Sequence, residues 1–319
     1  MAELICDPQL STIARMPNSA RRTSHVDMET PATFQVEIEG AARDIVTRAD
    51  NSIDVVGEAR IAIGTDVGYK LTHASCEPGQ QIIERLLGRV VGPGFRSALS
   101  EAMDESVSKL HPAFLLMDEL PVAALISGYI SLYLRSTGGR GKNNGGPKED
   151  ICAGWISSGE MIQSIRKTGQ IPTPMGPPAP VLEPAGDPHS WHSMPALKVG
   201  AMRRRRLLDV SGSRVFAMFR DTFIAPDTGV ETVLHEYEIN AEYDFAADTF
   251  TKCVAIPHVL PWPECPGAVA SAGRVVGKSA AEVRDYVRKE FNGTSTCTHL
   301  NDLLRSLADV ETLGALINR

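Results

Sequence analysis

The chain has 319 residues, of which 43% are hydrophobic and 22% charged, and carries a formal net charge of -7. That is room for roughly two domains of about 150 residues, with a core that needs no disulfide or metal staple. The acidic balance argues against a general nucleic-acid binder. The single basic run, Arg203–Arg206, has no basic face beside it and reads as an arginine-rich strand edge.

The opening residues, MAELICDPQL, lack the basic stretch and long apolar run of a secretion signal. From Arg21, the segments RRTSHVD, TFQVEIEG (33–40) and VVGEARIAIGTDVGYKLTHAS (55–75) follow. They alternate with the period of half-buried antiparallel strands, with GTDVG at a hairpin turn. After GRVVG (88–92) the period changes, and GPGFRSALSEAMDESVSKL and AFLLMDELPVAALISGYI (113–130) read as helices. The longest uncharged run, Leu120–Leu134, is too short to cross a bilayer and contains Pro121, so no membrane span is expected.

Residues 136–200 differ in kind, holding 20 of the 48 glycines and prolines in 65 positions. STGGRGKNNGGPKED reads as a flexible tip, WISSGEMIQSIRKTG as one short helix, and IPTPMGPPAPVLEPAGDP as extended chain. Trp155 and Trp191 lie here, which favours an ordered arm packed across the rest of the molecule over a free tether.

The first pattern then returns. RRRLLDV (from Arg204), SRVFAMFRDTF (213–223) and VLHEYEINAEYDFAADTFTKCVAI (233–256) alternate as strands, with DFAAD at a turn. GRVVG recurs at 273–277, and KSAAEVRDYVRKEFNG opens with a Ser279/Glu282 capping box and closes at Gly293. THLNDLLRSLADV (298–310) is a final helix. The chain thus reads as α+β: two tandem repeats, 20–135 and 201–319, of a curved antiparallel sheet followed by two helices. The order expected in each repeat is three strand segments and two helices, joined by the Gly/Pro-rich arm at 136–200.

No phosphate loop, dinucleotide fingerprint, H-E-x-x-H or G-x-S-x-G is present, so no cofactor is expected. Thr298 can cap the last helix and place His299 in its first turn, where the helix dipole favours a neutral imidazole. Cys297 beside it reads as an activated thiol or a small core residue, and His299 itself as an acid–base group or a locally bonded structural residue. In LHEYEI, His235 and Tyr237 share one strand face and Glu236 and Glu238 the other, while the first half has Gly57 and Ala59 at those places. An inward face bearing His and Tyr demands partners or a cavity; the alternative is a face turned to solvent. His25, after Arg21 and Arg22, can join an anion-binding cluster; His189 and His192 flank Trp191; His73, His111 and His258 read as structural or exposed. No local spacing supports a metal site, and six cysteines without a C-x-x-C pair suit a reduced, cytoplasmic protein.

LHEYEI and TCTHLNDLL resemble the motifs of a bacterial family without an assigned activity. Its members begin with paired arginines, carry an I-H-D-M strand and a G-R-I-G-P-G-W turn, and end on a G-C-T-H-L-x-E-L-L helix. GRVVGPGF in the first half matches the turn, the second half matches the histidine motifs, and Thr296 replaces the glycine of the closing motif. A looser resemblance is to cofactor-free gamma-formaldehyde lyases that open phenylcoumaran dimers to stilbenes. The resemblances imply a duplicated unit in which one half has lost both histidines. The expectation is a cofactor-independent lyase acting on an aromatic small molecule, as a homodimer. His299 would be the base, His235 or Tyr237 the acid, and Arg274 or Arg22 with His25 the anion holders. Trp155 and Trp191 would wall a cavity between the halves. The alternative is a non-catalytic carrier or assembly module.

Overall fold

The computed structural model describes residues 5–32, 35–138 and 148–317; most of the connector's glycine-rich tip lies outside these residues. The segments with period-two alternation form strands β1 (Ser19–Glu29), β2 (Glu37–Thr47), β3 (Ile53–Thr65) and β4 (Leu71–Glu77). Later in the chain come β5 (Met202–Ser211), β6 (Arg214–Ile224), β7 (Glu231–Asp244) and β8 (Thr249–Val259). All eight join one antiparallel sheet in the order β4-β3-β2-β1-β5-β6-β7-β8. The 55–75 and 233–256 segments each supply a hairpin, so there are four strands before the helices rather than three.

The order of strands on the two sides of the central β1–β5 pair is the same read outward, and so are the details. Arg21 opposes Asp209 and Arg203 opposes Asp27 across that pair, both ion-paired at 2.7 and 2.6 Å. Arg22 opposes Asp44 on β2 as Arg204 opposes Asp221 on β6. The register then shifts immediately after Asp44 between β2 and β3, and after Asp221 between β6 and β7. Gly57 opposes Asp44 where His235 opposes Asp221. The arginine run is therefore the middle of a central strand and not an edge; alternate guanidiniums go to opposite faces, each with a carboxylate.

The two GRVVG pentapeptides do not occupy equivalent places. Gly88 donates to the Leu71 carbonyl at the start of β4, and Gly277 donates to Phe250 at the start of β8. The first glycine of one copy thus corresponds to the last glycine of the other. Both adopt the left-handed conformation, φ 79° and 83°, that a glycine takes most cheaply.

The helices are α1 (Gln80–Glu84), α2 (Phe95–Ala102) and α3 (Pro112–Gly138), then α4 (Glu160–Thr168), α5 (Ala280–Glu290), α6 (Thr298–Ser306) and α7 (Val310–Ile317). Apart from α4, which packs with Trp155 and Trp262, they lie on one face of the sheet. The expected capping box is formed, with Ser279 and Glu282 bonding each other's backbone N–H. Among the described residues, α3 is the one helix long and apolar enough to cross a membrane, but 78% of its apolar window is buried within the protein. It covers the β1–β3 side as part of one core, and α5, α6 and α7 cover β5–β8 as part of another. The segment after α4 runs over the opposite sheet face, seating Leu182 and Trp191 on Leu207, Phe216 and Met218. It lends carbonyls of Pro180, His189 and Pro195 to Arg220, Arg43 and Arg203.

Arg22, 2% exposed, is held by Asp44 at 2.6 Å and Asp309 at 2.8 Å. Arg22→Met strands the buried Asp44 carboxylate and leaves Asp309 with Arg284 alone, and is expected to cost about 3–5 kcal/mol in urea unfolding. The exposed Arg48–Asp54 pair provides the contrast: Arg48→Met should cost about 0–1 kcal/mol. Equal losses in the two variants would contradict this reading of the sheet.

Candidate active site

The second arginine–carboxylate pair carries more than the sheet. Arg204 clamps Asp221 with two hydrogen bonds, Nε to Oδ1 at 2.6 Å and Nη2 to Oδ2 at 2.8 Å, while its Nη1 reaches Asp302 on α6 at 2.9 Å. Asp302 also binds Arg206 and, at 3.2 Å, Arg96 of α2. Although burial works against it, Arg206 and Arg204 hold its carboxyl down at about 2. Two elements of the second half are thereby locked together above β6.

On that base the two histidines meet. His235 of β7 and His299 of α6 lie face to face, with ring centroids 3.8 Å apart and planes 16° apart. His299 lies over Phe219 on its other flank, at 6.2 Å. His235 Nδ1 is 3.9 Å and His299 Nε2 4.0 Å from the same Asp221 oxygen, too far for a hydrogen bond. The His299 Nε2 atom is buried and has no partner. Their side chains keep 21% and 17% exposure, so the pair is reached from solvent at its edge while Asp221 is sealed beneath. Burial pushes the His235 imidazole down to about 4, and Arg204 adds to that against the pull of Asp221. Burial, then His235 and Arg204, hold His299 well below its ordinary value. Both rings are neutral at pH 7, with desolvation the leading cause and the neighbouring guanidinium adding to it. The cap of α6 is Cys297, one residue earlier than expected.

Asp221, His235 and His299 each offer one donor atom within 4.8 Å of the others, a set able to take a metal ion. Two features weigh against that use. Both Asp221 oxygens are already bonded to a cation, and a dication would stand beside Arg204. The rings are stacked, so their in-plane nitrogen lone pairs run side by side instead of converging.

Tyr237 lies behind the pair, fully buried, its hydroxyl against the Cys297 thiol. Burial, with Cys297 next, raises it far above the ordinary phenol value, so it keeps its proton. Cys297 itself is pushed up to about 11 by burial and is a core thiol, not an activated one. Trp155 is half-buried at the margin of a small cluster with Ile162 and Trp262. Arg274 is exposed, bonded to Ser295 and lying over the Phe291 ring at 5.4 Å. The structure does not bring the remaining candidates to this site. Arg22 is committed to Asp44 of the first half and to Asp309 just before α7. His25 and Trp191 lie on the opposite sheet face, where His25 bonds His192 at 2.7 Å and Trp191 donates to Thr12.

The first half carries a comparable arrangement around Asp44. His111 stands just before α3 as His299 stands in the first turn of α6, and both Asp44 and Arg22 act on it electrostatically. A side chain on Gly57 would meet the Pro112 ring at 3.3 Å, so the place of a second imidazole is filled.

Residues 202–313 match a family described as a protein of unknown function (DUF2889). No curated protein and no solved structure matches the chain. The matched span runs from β5 to α7 and contains every residue of the stacked pair and its base.

Buried neutral histidines make folding acid-sensitive. In the unfolded chain a histidine takes its proton near pH 6.5, whereas folded His235 does so only near 4, so its contribution is complete above about 6.5 and is lost as pH falls toward 4. His235→Gln should flatten the fall of unfolding free energy between pH 6.5 and 4 by up to about 1.4 kcal/mol per pH unit. An unchanged slope would contradict the neutral assignment.

Proposed function

We propose that this protein is a cofactor-independent acid–base lyase acting on an aromatic small molecule. The observation that carries the reading is the stacked, neutral His235–His299 pair with an unpartnered Nε2. A neutral ring nitrogen can accept a proton and a neutral N–H can donate a hydrogen bond, without the cost of holding an imidazolium in a desolvated site. The reaction that suits such a pair is a fragmentation of a hydroxymethyl aryl ether of the phenylcoumaran type. The His299 imidazole takes the proton of the primary alcohol, and the bond to the carbinol carbon breaks, releasing formaldehyde. That electron pair forms the stilbene double bond, the ring C–O bond breaks, and the phenoxide receives the proton through the pair. Arg204 and Asp221 fix the rings, and Tyr237 and Cys297 pack behind them as positioning residues.

We also infer that the chain is a tandem duplication with one working site. The matched registers, shared bulge positions and His111 support this reading, while Gly57 and Pro112 account for the silent half. Six free thiols suit a reducing compartment such as the cytoplasm. A carrier for aromatic compounds is the second reading, favoured by one observation: a cavity of about 630 Å³ among the described residues is not lined by either histidine.

Purified protein is to be mixed with phenylcoumaran-type dimers while stilbene absorbance and formaldehyde are followed. Turnover that drops at least about 10²-fold in His299→Gln and in His235→Gln, and survives a chelator, is the expected result. Loss of activity on chelation with recovery on adding a divalent metal would replace imidazole catalysis by metal catalysis. No product from the unmodified protein, with saturable binding of the dimer, would make it a carrier.

A further inference from the structure

A cavity of about 630 Å³ lies between the helices of the two halves, a size suited to a small organic ligand. Its walls are apolar: Val91 and Pro93 of the turn before α2, Val122 and Leu125 of α3, and Val287 and Phe291 at α5. Leu125 is 61% exposed, a large apolar side chain left uncovered at the rim. At Gly94, φ 87°, a Cβ would meet nothing within 4 Å, so the turn leaves the mouth open there.

The charged groups in the lining are unbalanced. Arg96, Arg288 and Arg305 face one carboxylate, Asp302, which already serves Arg204 and Arg206. Arg305 is committed to Asp118 at 2.6 Å and Arg96 to Asp118 and Asp302. Arg288 is different: among the described residues its ion-pair partner is Asp285 on its own helix at 3.1 Å, with both side chains open to solvent. Such a pair is worth little and is readily exchanged for a ligand anion. Apolar walls with one uncommitted guanidinium fit a flat organic anion. We propose that this cavity binds an aryl carboxylate or phenolate, with the ring between Leu125 and Phe291 and the anionic oxygens on Arg288.

The inference goes beyond the lyase reading: the cavity is a separate site that shares only α6 with the imidazole pair. Thr298, Asn301 and Asp302 of that helix line the cavity, while His299, one residue after Thr298, turns to the sheet. The cavity also gives a use to the turn containing the first GRVVG, which the imidazole chemistry leaves unexplained.

Titration calorimetry with trans-cinnamate, and with cinnamyl alcohol as its neutral counterpart, tests the site. Saturable cinnamate binding is expected, at least about tenfold weaker for the alcohol, for Arg288→Gln and for the rim-filling Leu125→Trp. His235→Gln should bind cinnamate within about twofold of the unmodified protein, which separates this site from the fate of the acid–base reading. No binding of cinnamate up to about 1 mM, or equal affinity in Arg288→Gln and Leu125→Trp, would overturn the proposal.

Discussion

A guanidinium inside a protein must be met by a carboxylate, and this fold is arranged around that requirement. Arg22 and Arg204 each join three elements: their own strand, an aspartate on the next strand, and an aspartate from the helical layer. Arg21–Asp209 and Arg203–Asp27 cross the seam between the two halves in reciprocal fashion. Sliding β5 by one residue against β1 would move every one of these groups to the wrong face, so the pairs fix register even where their net energy is small.

The same requirement shapes the chemistry. Because Arg204 occupies both oxygens of Asp221, that carboxylate has little left to give the imidazoles above it. A free carboxylate there would favour imidazolium; a neutralised one, with desolvation, leaves both rings uncharged. In the first half Arg22 and Asp44 are equally tight, but Gly57 and Pro112 occupy the space a second ring needs. The halves therefore keep the same frame and differ in what stands upon it.

Much of this was legible in the sequence. Period-two alternation located the strands and their turns, Ser279 and Glu282 located α5, and the alternation in LHEYEI correctly separated His235 and Tyr237 from Glu236 and Glu238. The meeting of His235 with His299 was not legible, because it depends on how α6 lies across β6 and β7, a contact between residues 64 apart in sequence. Asp221 is not legible as a site residue, and Arg204 reads only as part of an arginine run, because charged residues within strands read as solvent-facing. A signal was nonetheless present: the dipeptide Arg-Asp occurs at 43–44 and at 220–221, at the same place in both halves. The repeated GRVVG was misleading in detail, since hydrogen bonding to β4 and β8 aligns Gly88 with Gly277. Trp191, expected to wall a cavity, is placed in a core on the far face by the course of the chain after α4.

The account depends most on the stacked rings being uncharged in the folded protein. Histidine-ring NMR, following the long-range proton–nitrogen couplings of His235 and His299 from pH 8 to pH 5, tests this directly. The account predicts one protonated and one bare nitrogen in each ring throughout that range. Protonation of either ring at or above its ordinary value of about 6.5 would contradict it.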